Sequence, residues 1–450
     1  MLDQFKDILS LYILIPFVTI VGLFFSLRFR FIQCTHVLRA WKFFLGDRDT
    51  SNSRASSFSA VAAVLGGNLG TGNISGIAVA LAMGGPGAMF WMWVMATLGA
   101  TLKFVSCTLG ILYRKQNETG ESLGGPMYYL AKGLKLKGTA KIYALLAICT
   151  ALTVGNLVQM NSLALPFTQA GIPPLATGIG MSILIAGVIL GGLKRFSRVA
   201  STVVPFMAIG YILACAYIIS GHLDQVMPAF GLILQAAFAP SALTGGVLGY
   251  TVLEGIRVGF DRGLFATDVG VGIDSIIHSS VDSKKSLTET ALIQGLISTV
   301  SPLVVMIVCT LTGLVLIITD TWLAPGFEST NMCIEAFKRG FSFDFAGHII
   351  TLTLFFFAFT TILTWSFCAD KAVEYLFSRK MIRPFQWLFI AFVPLGAIFH
   401  VKVVWTIADI FMNLMLIINL IGLVGLYKEV ALLYNNPERK RIFQKPASIS

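Results

Sequence analysis

Residues 66–87 read "GGNLGTGNISGIAVALAMGGPG" and lie inside an apolar run long enough to cross a bilayer, yet the first half alternates glycine with polar residues. Gly66, Gly67, Gly70 and Gly72 crowd together with Asn68 and Asn73. Each glycine costs a helix about 1 kcal/mol relative to alanine, so the helix is expected to unwind here. Backbone groups freed inside a bilayer must face protein or a wet cavity. The upstream half-helix then ends in exposed carbonyls suited to a cation. The downstream half begins near Thr71, Gly72 and Asn73 with free N–H groups suited to a carboxylate. Close packing by small residues accounts for glycines but not for the two asparagines. "GGPG" at 84–87 reads differently, as a turn between spans.

The composition fits this reading. At 56% hydrophobic and 12% charged, with a mean hydropathy of +0.80, the chain is far from soluble proteins, in which about a quarter of residues are charged. It is a polytopic membrane protein. The first run, "ILSLYILIPFVTIVGLFFSL", has no basic region before it and no small-residue cleavage site after it, so it reads as a span and not a signal peptide. The net charge of +11 is spread in short clusters between apolar runs, which argues against nucleic acid. Seven cysteines and five histidines are scattered without metal or redox spacing. No phosphate loop, nucleophile elbow or HExxH occurs, so neither an ATP-driven pump nor an enzyme is expected, and no cofactor. A channel would show a filter-like loop or charged ring, and none is visible.

A span needs about 20 apolar residues, and eleven segments qualify: roughly 8–27, 57–82, 87–113, 141–165, 175–193, 199–220, 243–280, 287–319, 347–377, 385–400 and 403–427. Lys and Arg cluster after the first, third, fifth, ninth and last spans and before the eighth. Lys6, Lys338, Arg339 and Lys402 fall on the other side. Positive flanks stay cytoplasmic, so the amino terminus is expected outside and the carboxyl terminus inside the plasma (inner) membrane. Residues 1–56 then form an accessory span and linker, 57–220 a first five-helix repeat, 221–427 a second, inverted repeat, and 428–450 a cytoplasmic tail. Each repeat opens with an interrupted segment, a pattern that points to a secondary transporter's binding site.

The second interruption has two candidates, "TGGVLG" (244–249) and "GFDRGLFATDVGVG" (259–272). The latter is favoured, because it combines glycines with Asp261, Arg262 and Asp268 and leaves a short half-helix before Lys284. Gly263 and Asp268 are its candidates for contacting substrate. Polar residues inside spans are functional candidates by default. Asn156, Gln159 and Ser162 share a face of the fourth span, and Thr361 and Trp365 stand one turn apart on the ninth. Lys103 is an intramembrane lysine with no identifiable partner, read as structural.

These motifs carry a resemblance. "GTGNISGIAVALAMGGPGAMFWMWVMATLGATLKF", "GGPMYYL", "RGLFATDVGVG", "FAFTTILTWSF" and "KAVEYLF" together resemble the sodium:alanine (alanine or glycine:cation) symporter family over nearly the whole chain. The resemblance implies an all-α LeuT-type fold of five plus five inverted helices with two broken helices and one extra amino-terminal span. It also implies import of a small neutral amino acid with sodium as the co-transported ion. By its GxGN motif, the N–H groups of Thr71 and Gly72 take the substrate carboxylate. The carbonyls of Gly66 and Leu69, with the hydroxyls of Thr360 and Thr361, take sodium, and Asn73, Gln159, Thr361 and Trp365 surround the amine and side chain. The chain departs from the family in two places: "ATDVGVGIDS" (266–275) replaces "SNEAGLGSAP", and Ser106 replaces the glutamate of "KFAE". Proton coupling and a transporter-like amino-acid sensor are the alternative functions.

Overall fold

The structure is a computed structural model describing residues 2–46, 56–238, 251–281, 283–324, 326, 329–436 and 442. Among these, eight helices are long and apolar enough to cross a membrane, and four shorter apolar helices accompany them. We label the elements α1 (Gln4–Arg28), α2 (Ser57–Asn68), α3 (Ser75–Gly84), α4 (Gly87–Leu112), α5 (Lys137–Gln169), α6 (Pro174–Ile189) and α7 (Gly192–Ser220). They continue as α8 (Leu223–Phe238), α9 (Val252–Thr267), α10 (Ile273–Ser279), α11 (Leu287–Ile318), α12 (Thr330–Phe341), α13 (Gly347–Leu376), α14 (Ile382–Ile398) and α15 (Val401–Asn435). Each expected segment falls on one helix or one broken pair. The α8 and α12 helices were not expected.

The first break lies where the glycines put it. A capping box starts α2, with Ser56 accepting from the Ser59 N–H at 3.1 Å and Ser59 accepting in return at 2.9 Å. Leu69 leaves helical geometry (φ −83°, ψ 73°), Gly70 is extended, and Thr71–Asn73 form a single 3₁₀ turn before α3. The second break separates α9 from α10. Asp268, Gly270 and Gly272 take left-handed φ values of 50°, 75° and 99°, which only the two glycines adopt without strain. "GFDRGLFATDVGVG" therefore contains a break, while "TGGVLG" lies outside the described residues.

Helix α4 is the bed for the second break. Gly99 lies against Val269 and Gly110 against Ser275, contacts that a β-carbon at either glycine would obstruct. The "GGPMYYL" stretch closes the same seat, with Gly124 against Ser279 and Gly125 against Ile276. Arg114 caps α10 and its exit, donating to the carbonyls of Ser279 (3.0 Å) and Val281 (2.9 Å). The first break instead lies against α7 and α13, where Gly66 meets Val204 and Gly67 meets Thr364. Within "GGPG" only Gly85 makes the turn (φ 65°). Gly87 opens α4 and packs on the backbone of α8, so a β-carbon there would lie 2.5 Å from the Ala236 carbonyl oxygen. It is a packing position, contrary to its reading as turn alone.

Candidate substrate and ion site

The turn at Thr71–Asn73 is held from three sides. From α5, Gln159 Oε1 accepts from both the N–H and the hydroxyl of Thr71, each at 3.0 Å. Gln159 is oriented by a π-helical turn of α5, Thr153–Leu157, whose Val154 carbonyl accepts from Gln159 Nε2 at 3.0 Å. From α11, Thr312 donates to the Asn73 carbonyl at 2.9 Å and Cys309 to Asn73 Oδ1 at 3.1 Å. From α9, the Phe265 ring lies against Gly72, and a β-carbon on Gly72 would be 2.6 Å from Phe265 Cδ1.

The Asn73 side chain mends the break from within. Its amide donates to the carbonyls of Asn68 (2.6 Å) and Gly70 (3.2 Å), so it fixes the turn's shape. Trp365 is fully buried with its base against Gly155, in the π-helical turn of α5. Asn156 leaves this face, donating to the Phe389 carbonyl on α14 at 2.8 Å. The structure does not bring Gly263 to this turn: the side on which a β-carbon would stand faces Met92 and Met95 of α4. Asp268 makes no hydrogen bond to the turn either, and it lies within electrostatic reach of Lys103 and Asp274.

Upstream of the turn, α13 presents a ladder of threonines to the end of α2. The Thr361 hydroxyl is 2.9 Å from the Gly66 carbonyl oxygen and 3.1 Å from that of Gly67, and Thr364 donates to Ala63 at 3.0 Å. Thr360 donates back to Phe356 of its own helix at 3.0 Å, leaving its lone pairs available. The Leu69 carbonyl accepts no hydrogen bond among the described residues. Carbonyls and hydroxyls are the uncharged hard oxygens that suit a hard cation. Thr361 serves both sides of the site, because it also lies against Gly70, where a β-carbon would be 2.9 Å from its Oγ1.

Six contributors escaped sequence reading: Phe265, Cys309, Thr312, Thr364, Trp405 and Asp409. Phe265 stacks on Trp405 of α15 with centroids 4.8 Å apart, and the Arg262 guanidinium covers both rings at 5.6 and 4.9 Å. Arg262 in turn donates to Asp409 at 2.5 Å, closing α9 against α15. Arg257 pairs with Asp7 of α1 and lies 3.7 Å from Glu254 of its own helix.

Comparison with known proteins gives the family and the fold. The sodium:alanine symporter family profile matches residues 1–447. A sodium/alanine symporter of Methanococcus maripaludis is 38% identical, covering 90% of this chain and 89% of that one. A transporter of Haemophilus influenzae is 37% identical, covering 94% and 91%. Among solved structures, a Na⁺-coupled sialic acid symporter in its substrate-bound outward-open state superposes with a TM-score of 0.54 at 15% identity, covering 93% of this chain and 86% of that one. The shared fold is the LeuT-type helical bundle. This chain belongs to the sodium:alanine symporter family, and is an ion-coupled amino-acid carrier of the membrane and not an enzyme.

Proposed function

We propose that the protein carries alanine or glycine into the cell together with sodium, by alternating access between two inverted five-helix repeats (57–220 and 221–427). The observation that carries this reading is the convergence on one unwound turn of backbone N–H groups, the Gln159 amide and the threonine ladder of α13. The N–H groups of Thr71 and Gly72 receive the carboxylate, with Gln159 releasing its hold on Thr71 as substrate arrives. Gly66 and Leu69 supply carbonyls, and Thr360 and Thr361 hydroxyls, to the sodium ion.

Gln159 and Thr361 stand against Gly70, and Phe265 stands against Gly72. These side chains would bound the side chain of a substrate held at the turn. Coupling follows from Thr361, which touches both the carbonyl end and the substrate turn, so that filling one side orders the other. Equilibrium binding of labelled alanine to the purified protein tests the reading. Binding should need sodium and be displaced by glycine but not by leucine. Equal binding in potassium alone would contradict it.

A further inference from the structure

Around the second break one charge is left over. Lys103 Nζ, from α4, is 2.5 Å from Asp274 Oδ2 of α10 and 3.0 Å from Ser301 Oγ of α11. Asp268 is 3% exposed and lies within electrostatic reach of both charged groups. Its carboxylate has no hydrogen bond or ion pair among the described residues. Two carboxylates against one ammonium leave a net charge of −1. Such an excess is strongly disfavoured when buried, unless something neutralises it.

The cluster also holds spare acceptors. Asp274 Oδ1 and His278 Nε2 are buried without a partner among the described residues, and stand one turn apart on α10. The other imidazole nitrogen, Nδ1, is 2.8 Å from Gln294 Oε1, whose amide donates to Ser57 of α2 at 2.5 Å. Nδ1 therefore carries the hydrogen and Nε2 is a bare acceptor. The remaining titratable groups that face the cluster are Cys107 from α4, Tyr129 from the Pro126–Lys132 helix, Tyr143 from α5 and Cys368 from α13. None of these becomes positive. Lys371, beyond Cys368, is committed to Glu121 at 3.0 Å.

The missing charge does not suit a metal ion. Three carbonyls of the second break are already taken: Gly270 by Asn419 Nδ2 (2.7 Å), Val271 by the Tyr143 hydroxyl (2.9 Å) and Gly272 by the Ser275 hydroxyl (2.7 Å). No group of three or more His, Cys, Asp or Glu able to hold a metal occurs among the described residues.

We propose that this cluster is a proton-binding site, with the proton seated on Asp268. One O–H bond forms on the Asp268 carboxylate, the proton comes from water, and the cluster passes from −1 to neutral. The His278–Gln294–Ser57 chain ties this site to α2, which bears the first break, so proton occupancy and the substrate site are linked. That consequence rests on the carrier reading above, whereas the proton site itself does not.

Infrared difference spectra of the purified protein with isotope-labelled aspartate, taken between acid and alkaline pH without substrate or gradient, test the proposal. The expected result is a label-sensitive carboxylic-acid C=O band that disappears on alkalinisation, is absent from Asp268→Asn and is shifted in Asp268→Glu. Alanine uptake by Asp268→Asn should lose the pH dependence of the natural protein. Absence of the band, or its persistence in Asp268→Asn, overturns the proposal. So does a bandless natural protein whose Asp268→Asn variant loses alanine binding, since Asp268 would then hold the substrate ammonium. A band without sodium-driven uptake would refute the carrier reading and leave the proton site standing.

Discussion

Gly72 and Gly76 are four residues apart, and their surroundings make opposite demands. A β-carbon on Gly72 would lie 2.6 and 2.8 Å from two atoms of the Phe265 ring, whereas on Gly76 it would meet only Trp405, at 4.0 Å. Overpacking of this kind costs about 1–3 kcal/mol. Gly72→Ala should therefore lower alanine uptake at least about fivefold, while Gly76→Ala stays within about twofold, measured as initial rates on equally expressed protein. Equal activity would remove the substrate turn from the account. Thr361→Val deletes the hydroxyl 2.9 Å from the Gly66 carbonyl. It should raise the sodium concentration for half-maximal uptake about tenfold, the worth of about one polar contact. At this scale the sequence was legible where backbone chemistry spoke: Gly70 to Asn73, Gln159 and Thr361 meet as their types suggested. It was silent on Phe265 and Thr364, because one more aromatic or threonine in an apolar helix carries no signal of which neighbour it will touch. It misled at Gly87, whose small size serves the backbone of α8.

Elements show how two broken helices are held without losing their polar groups. The second break is kept on α4 by glycine contacts and by the Lys103–Asp274 pair, whose side chains are 2% and 4% exposed. Removing one partner of such a pair leaves a stranded charge and costs about 3–5 kcal/mol, whereas replacing both with apolar residues can be neutral. Thermal unfolding in detergent should show Lys103→Met strongly destabilised and Lys103→Met with Asp274→Leu largely recovered. An undisturbed single variant would contradict the pairing. Lys103 was visible in the sequence as an anomaly, but its partner was not, because nothing in the spacing of residues 103 and 274 announces contact across 171 positions. The same contact gives "ATDVGVGIDS" a physical role, since Asp274 is the residue that meets the lysine. The π-helical turn of α5 was equally hidden, since residues 153–164 are all buried and carry no apolar stripe whose phase a one-residue widening could shift.

On the scale of the whole molecule, apolar segment lengths located the long helices, and clustered glycine and polar residues marked the break at 69–73 and the one within 259–272. They did not reveal α8 and α12, which are too short and amphipathic for a rule tuned to 20 apolar residues. The distribution of Lys and Arg gives a sidedness that can be checked directly. Glu118 lies in the exposed loop after α4 and Asp344 in the exposed segment before α13. A membrane-impermeant thiol reagent applied to intact cells should label Asp344→Cys and spare Glu118→Cys, and inside-out vesicles should reverse the pattern. The reverse in intact cells would invert the orientation. The measurement that reaches the centre of the account is uptake of labelled alanine by proteoliposomes holding the purified protein. An inward sodium gradient should drive accumulation above the external concentration, and equilibrating sodium across the membrane should abolish it. Alanine that merely equilibrates, whatever the sodium gradient, would contradict the coupled-carrier account.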